Sequence, residues 1–537
     1  HRLILDAGLL EEENARWSNM EFDQVGLFRM LNTIGTELPD GRYQGLLALA
    51  APSLRENGPG GLSTTPTIPK AELDMRMLNW FQSLRQARTA VEKLFACFSR
   101  LLEEFLQQGG GGKDKGRSDH SGCSHGWRGN ERVDQPLRLN SSIRHLSSWS
   151  DAEYAWQQAA QRLQTVIDLA CEAEKIMLTT QRNRHRLDIG SGEDSSVASE
   201  LAIAARQLLE QKQRGQQAMS LSDGDTVYWL RMPPSPPSFS QQASHQRHIT
   251  TTPTPAQPAE DAPVLYAQLV QTSTLLRHLL LSDQKSTIFV GAALSVDNSF
   301  AFSRGRFGLE NDTSPALSVV TEHHEQTLLY FPNDVPEPNA AQYQRHLDDA
   351  LIQIATALEG QTAVLFTSHA ALRSSYATIK PLLETRGILV LGQGIDGSPR
   401  QLWQVFQSQE RVVLLGAGGF WDGTEEITRS PTCLVIARLP MPVLNDPPVA
   451  ARAEHYSDQL HQLTVPVAAL RVRRALNRLV WGDTKRNIVV MFDRRVISKE
   501  YGSIVLHSLP RCSQRQAAVS HMPETLLDWL TGTGAWE

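Results

Sequence analysis

The chain has 537 residues and a formal net charge of −6 at pH 7. This length exceeds what one hydrophobic core usually supports, so roughly two to four domains are expected. A hydrophobic fraction of 41% is typical of water-soluble proteins, and no apolar run approaches the about 18–20 residues needed to cross a bilayer. The net negative charge excludes a chain that is basic throughout, but it is compatible with a local basic surface.

The cysteines and the N-terminal segment indicate the compartment. The cysteines are scattered, without CxxC spacing or a matching histidine pair, and they are Cys97, Cys123, Cys171, Cys433 and Cys512. This predicts a reducing compartment and no zinc or iron–sulfur site in this stretch. The first residues, HRLILDAGLLEEENARW, carry acids where a signal peptide would be apolar, so we expect a cytoplasmic protein and no membrane contact.

The first half of the chain is predicted to be helical. Within residues 70–108, apolar residues recur at spacings of three, four and seven, namely Met77, Phe81, Leu84, Val91, Leu94, Phe98, Leu101 and Phe105. Similar patterns cover residues 150–180 and 196–214. Such stripes are typical of packing surfaces. They predict an α-helical domain of antiparallel neighbours.

Two segments read as loops. Residues 109–135 are glycine-rich and predicted to be flexible. Gly112–Lys113 superficially resembles a phosphate-binding loop, but Asp114 stands where Ser or Thr is required and no strand precedes it, so we reject that interpretation. After a short strand at 226–232, residues 233–262 are rich in Pro, Ser, Thr and Gln and are predicted to be disordered.

After residue 262 the pattern changes to alternating strands and helices. Strands are predicted at 286–296, 362–368, 387–394, 411–419, 433–440 and 487–493, the last closing the sheet. Helices are predicted at 340–358, 370–385, 399–407, 452–463 and 466–481. This alternation predicts an α/β fold with a mostly parallel, doubly wound sheet. Ligands of such sheets bind at the carboxyl ends of the strands.

Two parts of this half are candidates for the site. The buried strand in residues 411–426, RVVLLGAGGFWDGTEE, ends in glycines and predicts a binding loop. In helix 466–481, Arg471, Arg474 and Arg478 fall at i, i+3 and i+7, opposite an apolar stripe. Forked, permanently charged arginine donors suit phosphate. A solvated helix face remains the alternative.

Seven blocks of sequence then point to one family. In order they are GAALSVDNSF (291–300), AVLFTSHAAL (363–372), LGQGIDGSPRQLWQVF (391–406), LLGAGGFWDGTEE (414–426), LPMPVLNDP (439–447), RALNRLVWGDTKRNIVVMFDRR (474–495) and YGSIVLHSLP (501–510). Their order and spacing resemble those of DinG/XPD-type superfamily 2 DNA helicases. The glycine loop resembles the family's motif V, and the arginine helix resembles motif VI. His1 resembles the last residue of a DEAH box.

The resemblance implies a domain organisation. It implies a RecA-like, doubly wound motor domain together with a long α-helical, arch-type insertion. Residues 1–60 would be a remnant of the first motor domain, and 61–222 the insertion. Residues 223–312 would return to the first motor domain, with motif III, and 313–537 would form the second RecA-like domain.

It also implies functional residues and ligands. Arg478 would be the catalytic arginine finger, and ATP would meet Gly423, Glu425, Arg474 and Arg478. Nucleic acid would be bound by Thr367, Ser368, Gln393, Gly394, Gly419, Phe420 and Trp421. ATP and Mg²⁺ would be held mainly by the upstream lobe, and an iron–sulfur cluster is possible only upstream of residue 1. The partner would be single-stranded or forked DNA, with 5′-to-3′ movement.

Several residues depart from the family's pattern. Ala293 stands where motif III has a hydroxyl residue, Gly419 and Thr424–Glu425 depart in motif V, and Arg474, Asn477 and Trp481 depart in motif VI. The first hypothesis is therefore the C-terminal part of an ATP-dependent DNA helicase, inactive by itself. The second is a degenerate, non-catalytic DNA-binding or scaffolding module. The third is an unrelated nucleotide-binding α/β protein, which would gain support if loop 416–425 lay far from helix 466–481.

Overall fold

The computed structural model describes most of the chain, in two compact units. The described residues are 2–6, 20–54, 69–108, 135–185, 193–220, 224–233, 262–281, 286–310, 314–318, 326–422, 429–480 and 486–532. The sheet unit consists of His1–Asn14, Gln271–Asn445 and Val449–Glu537, and the helical unit of Ala15–Val270 and Asp446–Pro448. Apart from their ends, the loops predicted at 109–135 and 233–262 lie outside the described residues, as do His1, Gly423, Thr424, Glu425 and Trp481.

Strands and helices are numbered separately in chain order. The strands are β1 (Arg2–Asp6), β2 (Met20–Phe22), β3 (Thr36–Glu37), β4 (Tyr43–Gln44), β5 (Leu137–Leu139), β6 (Thr226–Arg231), β7 (Val264–Leu269), β8 (Ser286–Val290), β9 (Thr327–Pro332), β10 (Thr362–Phe366), β11 (Leu389–Gly392), β12 (Val412–Ala417), β13 (Cys433–Ile436), β14 (Asn487–Met491) and β15 (Ser513–Ala517). The α-helices are α1 (Gln24–Ile34), α2 (Leu46–Leu54), α3 (Lys70–Gln107), α4 (Trp149–His185), α5 (Glu193–Ser220), α6 (Ser273–Leu276), α7 (Ala301–Arg306), α8 (Tyr343–Ala357), α9 (His369–Glu384), α10 (Pro399–Ser408), α11 (Gly419–Asp422), α12 (Pro447–Ala453), α13 (Val465–Leu479), α14 (Arg495–Ser498), α15 (Gly502–His507) and α16 (Met522–Thr531).

The helical unit is built around α3, α4 and α5, which confirm the three predicted long helices. The apolar stripe of α3 is buried, with Leu84, Val91 and Phe98 at most 1% exposed. Ion pairs from Arg76 to Glu172 and from Arg100 to Asp151 show that α3 and α4 run antiparallel. Burial of these stripes, rather than intrinsic propensity, stabilises helices of this length.

A four-stranded antiparallel sheet of order β2-β7-β6-β5 completes the helical unit. Because β6 and β7 pair with each other and β7 pairs with β2, residues 226–231 and 264–269 are held in this unit. The compact units therefore divide after Val270, whereas the sequence predicts a division at 222/223. The assignment of 1–60 and 223–312 to a first motor domain stays a prediction.

The sheet unit contains a seven-stranded sheet of order β11-β12-β10-β13-β14-β9-β15, in which every pair is parallel. One apolar layer lies between the sheet and helices α8, α9 and α16. A second layer lies between the opposite face and helices α10, α11, α13, α14 and α15. Alternate residues of β10 serve the two layers, Val364 and Phe366 in the first and Ala363 and Leu365 in the second. The α/β, doubly wound fold class is confirmed.

Three predicted details of the sheet unit are wrong: the closing strand, one helix and the end of one strand. The strand at 487–493 does not close the sheet, because β9 and β15 lie beyond it and β15 forms the edge. The sequence SQRQA of β15 is polar and mostly exposed, so it has no apolar pattern to detect. The helix predicted at 452–463 is two pieces, since α12 ends at Ala453 and a π-helical turn, Leu460–Thr464, leads into α13. The strand predicted at 286–296 ends at Val290.

Glu104, near the end of α3, fixes the start of α4. Its carboxylate accepts hydrogen bonds from the backbone N–H groups of Ser147 and Ser148, each at 2.9 Å, and from both hydroxyls. These bonds, the Ser148 hydroxyl first, lower the pKa of Glu104 to about 2. The Glu104 carboxylate therefore links the end of α3 to the start of α4.

We predict that Glu104→Gln lowers the stability of the helical unit at neutral pH, because the amide accepts fewer hydrogen bonds. A depressed carboxyl pKa stabilises the fold above the unfolded pKa, so this difference should shrink as the pH falls through the native value of about 2. Calorimetric unfolding of both proteins at a series of pH values measures this difference in stability. The neighbouring exposed Glu103→Gln is the control, and an equal effect of both changes would contradict the role of Glu104.

Gly416 in β12 allows the following residues to fold back onto the sheet. A Cβ there would press on the Phe420 ring, including a separation of 2.7 Å from Cδ1. Phe420 and Trp421 are each 1% exposed. Only glycine leaves space for the Phe420 ring at this approach.

We predict that Gly416→Ala lowers the free energy of unfolding by about 1–3 kcal/mol, the usual range for an overpacked core. Gly419→Ala is the matched control, because a Cβ at Gly419 meets nothing within 4 Å. Calorimetry and amide exchange of β12 measure both variants. Equal stability of the two variants would show that the Phe420 ring moves aside without cost.

Candidate functional site

Three loops meet at the carboxyl edge of the parallel sheet. They follow β11, β12 and β10, which are neighbours in the sheet. Phe366 lies opposite Ala417, and Gly392 lies opposite Leu415. The register therefore brings together the predicted nucleic-acid residues Thr367 and Ser368, Gln393 and Gly394, and Gly419. We call these three loops the carboxyl-edge loops.

Side chains tie these loops to one another. The Gln393 side-chain oxygen Oε1 accepts a hydrogen bond from Ala417 N at 2.7 Å, and its backbone N donates to Leu415 O at 3.0 Å. Trp421 Nε1 donates to Phe366 O at 2.8 Å. The loops after β10, β11 and β12 are thus one connected structure, and Gln393 is part of its frame.

Exposure separates the predicted nucleic-acid residues into two groups. Thr367, Ser368, Gly394 and Gly419 are exposed. Gln393 is half-buried, whereas the rings of Phe420 and Trp421 are core side chains. Phe420 and Trp421 are therefore core residues, and neither is exposed to a ligand outside.

Ser368 also shapes the loop after β10. As the N-cap of α9, its Oγ accepts hydrogen bonds from Ala370 N at 3.2 Å and Ala371 N at 3.4 Å. A serine in this position satisfies N–H groups at the start of a helix. The remaining N–H groups and the positive end of the helix dipole face the same edge and favour an anion.

A cavity of about 240 Å³ opens beside this loop, lined by Thr367, Ser368, Gln344, Tyr343 and Arg438 among others. Arg438 follows β13 and lies with its guanidinium carbon 4.9 Å from the centre of the Tyr343 ring. Its Nη2 donates to Pro338 O. Arg438 is not among the residues predicted from the sequence, although an arginine directly after the apolar strand CLVIA was the available signal.

The arginine helix lies against the motif V loop. The Nη2 atom of Arg478 donates to the carbonyl of Phe420, and α13 packs on α11 in the second apolar layer. Arg474 lies one turn earlier, and both arginines are half-buried. The predicted apolar stripe is confirmed, with Val472, Leu476 and Leu479 fully buried. The predicted ATP contacts Gly423 and Glu425 lie outside the described residues.

The segment after β8, predicted as motif III, docks on the same helix. Arg473 Nη1 donates to Ser295 Oγ at 2.7 Å and to Ser508 O at 3.0 Å. Asn477 Nδ2 donates to Ala292 O at 3.2 Å. Burial lowers the pKa of Arg473, and its Nη1 atom links three chain segments. This link through Arg473 was not predicted, because no sequence pattern around Ser295 or Ser508 reveals it.

Apolar contacts strengthen this docking. Ala293, Val296 and Leu470 are 4%, 7% and 6% exposed and form one small cluster. Ala293 thus has a methyl group in a packed site where a hydroxyl would need a partner. The departure from motif III is compatible with tight packing here.

The donors that the site offers to a ligand are cationic or neutral. Arg474 and Arg478 suit the oxygens of a terminal phosphate. Among the residues that the structure describes, no group of three or more His, Cys, Asp or Glu could hold a metal ion. The forked, charged donors of the two arginines are the type of group that binds phosphate.

Comparison with known proteins agrees with this geometry. Residues 351–512 match the family model described as the helicase C-terminal domain. The 3′-5′ exonuclease DinG of Bacillus subtilis is 27% identical over 283 residues, which cover 51% of this chain and 30% of that protein. The ATP-dependent DNA helicases YoaA of Haemophilus influenzae and Escherichia coli are 27% and 28% identical, over 44% of this chain and 37% of each relative.

The chain spans about a third of the length of the curated relatives it matches. A solved structure titled XPD_APO overlaps 96% of this chain and 76% of its own, with 11% identity and a TM-score of 0.44, values too low to support an assignment. Within the described ranges no helix is both long and apolar enough to span a bilayer. The family match covers the strands and helices that build the carboxyl edge and the arginine helix, and residues 351–512 resemble a helicase C-terminal domain.

Proposed function

We propose that this chain is the C-terminal portion of an ATP-dependent DNA helicase that couples ATP hydrolysis to movement along single-stranded DNA and to duplex unwinding. One observation carries the proposal. The bond from Arg478 to the Phe420 carbonyl joins the helix that would meet ATP to the carboxyl-edge loops that would meet DNA. The YoaA relatives are named ATP-dependent DNA helicases, which agrees with this function.

The carboxyl-edge loops supply contacts suited to a nucleic-acid backbone. Exposed hydroxyls of Thr367 and Ser368, the exposed backbone at Gly394 and Gly419, and the Arg438 guanidinium can each meet phosphate oxygens. Such contacts do not depend on the base sequence. They suit a motor that must move along any strand.

The arginine helix supplies the charge that phosphoryl transfer requires. Arg478 would stabilise charge that develops on the transferred phosphoryl group, and Arg474, one turn earlier, would offer a second fork. ATP bound mainly by an upstream lobe would supply the transferable phosphoryl group, with Mg²⁺ held in that lobe. Closing the lobes would bring Arg478 to the nucleotide, and the Phe420 carbonyl would pass its displacement to the motif V loop.

A degenerate, non-catalytic DNA-binding or scaffolding module is the second candidate. The departures at Ala293, Glu425, Asn477 and Trp481 favour it. The contacts of Ala293 and Asn477 favour the motor, because both residues make contacts in the docking of segment 291–300 on α13. An arginine finger contributes about 10³–10⁵ in rate, so activity measurements separate the two candidates sharply.

Several finer points belong to the same proposal. Single-stranded or forked DNA is the substrate, movement is 5′-to-3′, and the protein works in the cytoplasm at the nucleoid. An iron–sulfur cluster, if the longer protein has one, lies upstream of residue 1. Residues 1–537 alone are expected to show no DNA-stimulated ATP hydrolysis.

We predict that Thr367→Asp weakens binding of fluorescent oligothymidylate by about tenfold or more, because a carboxylate at the edge repels the phosphates. Thr385→Asp is the matched control. Thr385 caps the opposite end of α9 and is also exposed. Fluorescence anisotropy measures both variants, and equal affinities would remove Thr367 from the DNA site.

We predict that Arg478→Ala, in the longer protein with its upstream lobe, lowers DNA-stimulated ATP hydrolysis by about 10³–10⁵-fold. Exposed Arg511→Ala serves as the control, and retained DNA affinity shows that the variant is folded. Arg478→Lys should restore little of the ATP hydrolysis, since lysine lacks the forked guanidinium donors of arginine. Unchanged turnover in Arg478→Ala would contradict the finger, and an inactive wild-type protein that still binds DNA would favour the scaffolding module.

A further inference from the structure

None of the functions proposed above uses a groove on the surface of the helical unit. It lies between α3 and α4 and has a volume of about 690 Å³. Its polar and charged lining consists of Arg85, Gln86, Lys93, Arg100, Tyr154 and Arg162, with Asp151 at one end, and Thr89 and Gln158 between them. We call it the α3–α4 groove.

Helical spacing places these side chains in two facing rows. On α3, Arg85, Thr89, Lys93 and Arg100 follow one another at intervals of four, four and seven residues, so they share a face. Tyr154, Gln158 and Arg162 do the same on α4. At about 1.5 Å per residue, the distance from Arg85 to Arg100 corresponds to about 22 Å. The groove is therefore long enough for an extended polymer.

The groove is positively charged although the chain as a whole is acidic. Four cations and one carboxylate line it. Arg85 pairs with Glu37, and Arg100 lies 3.6 Å from Asp151. Lys93 and Arg162 are exposed, and no ion pair is found for either among the described residues. Solvent screens such charges until a polyanion displaces the counterions.

An aromatic side chain stands beside these cations. Tyr154 is 65% exposed, so its ring is available to a ligand. Exposed rings next to cations are the combination that binds single-stranded nucleic acid, since phosphates meet the cations and a base stacks on the ring. An acidic protein segment would use the cations but would have no base to place on Tyr154.

We propose that the α3–α4 groove binds single-stranded nucleic acid, with Lys93 and Arg162 on the phosphates and Tyr154 stacked on a base. This site lies wholly in the helical unit and does not rest on the carboxyl-edge loops. The α3–α4 groove gives the helical unit a binding site of its own for the nucleic-acid strand. Sequence-independent contacts of this type suit a strand that passes through.

The test uses residues 1–537 and fluorescent oligothymidylate at a series of KCl concentrations. Lys93→Ala combined with Arg162→Ala should weaken binding by on the order of tenfold at low salt and reduce the slope of log affinity against log salt by about 1.4, or 0.7 per lost phosphate contact. Tyr154→Ala should weaken binding about fivefold or more, and Tyr154→Phe should restore it because the ring remains. Base-to-protein photo-crosslinks should map to Tyr154.

The matched control is Lys175→Ala combined with Arg206→Ala, which removes the same charges from exposed positions on α4 and α5 outside the groove. It should leave the salt slope unchanged. An unchanged affinity and slope in the groove variant overturn the proposal, whatever Thr367→Asp does at the carboxyl edge. Displacement of the oligonucleotide by polyglutamate, with no effect of Tyr154→Ala, would assign the groove to an acidic protein segment and also overturn it.

Discussion

The packing of Phe420 and Trp421 against the sheet is the contact on which the candidate site depends. Both rings are buried, because Gly416 has no side chain to exclude the Phe420 ring. Trp421 donates to the Phe366 carbonyl, and the Phe420 carbonyl accepts from Arg478. Two aromatic residues therefore connect β10, β12 and α13. Buried aromatic groups with satisfied polar atoms hold such geometry well.

Helix α13 extends this connection to a further segment. Its apolar side lies in the second apolar layer, while Arg473 and Asn477 bind the chain after β8. Because Arg478 belongs to the same helix, a shift of α13 would be felt both at the motif V loop and at residues 291–300. A rigid helix with two docked partners can relay a local change over a distance. This physical linkage is what the proposed coupling of ATP to DNA requires.

The helical unit shows a different balance of forces. Long apolar stripes on α3, α4 and α5 build its core, and the outward rows between α3 and α4 carry the cations of the groove. Local charge can thus oppose the net charge of −6 of the chain. Association with a polyanion depends on the local field at the groove more than on the total.

The sequence by itself determined the class of fold, the long helices and the apolar side of α13, because burial imposes the periods of strands and helices directly on the residue pattern. The order and spacing of the motif-like blocks also sufficed to place Arg478 and the glycine loop in one candidate site. The sequence did not reveal the polar edge strand β15 or the break in the helix after Ala453, because no apolar period marks either feature.

Only the tertiary structure decided which of these residues are exposed at the candidate site and which are buried. It placed Phe420 and Trp421 in the core, made Gln393 part of the frame, and brought Arg438 to the cavity beside Thr367. It also joined Arg473 to Ser295 and Ser508, which are far apart in the chain. The physical reason is that orientation and long-range hydrogen bonds arise from packing between elements, whereas a sequence pattern reports mainly the burial period within each element.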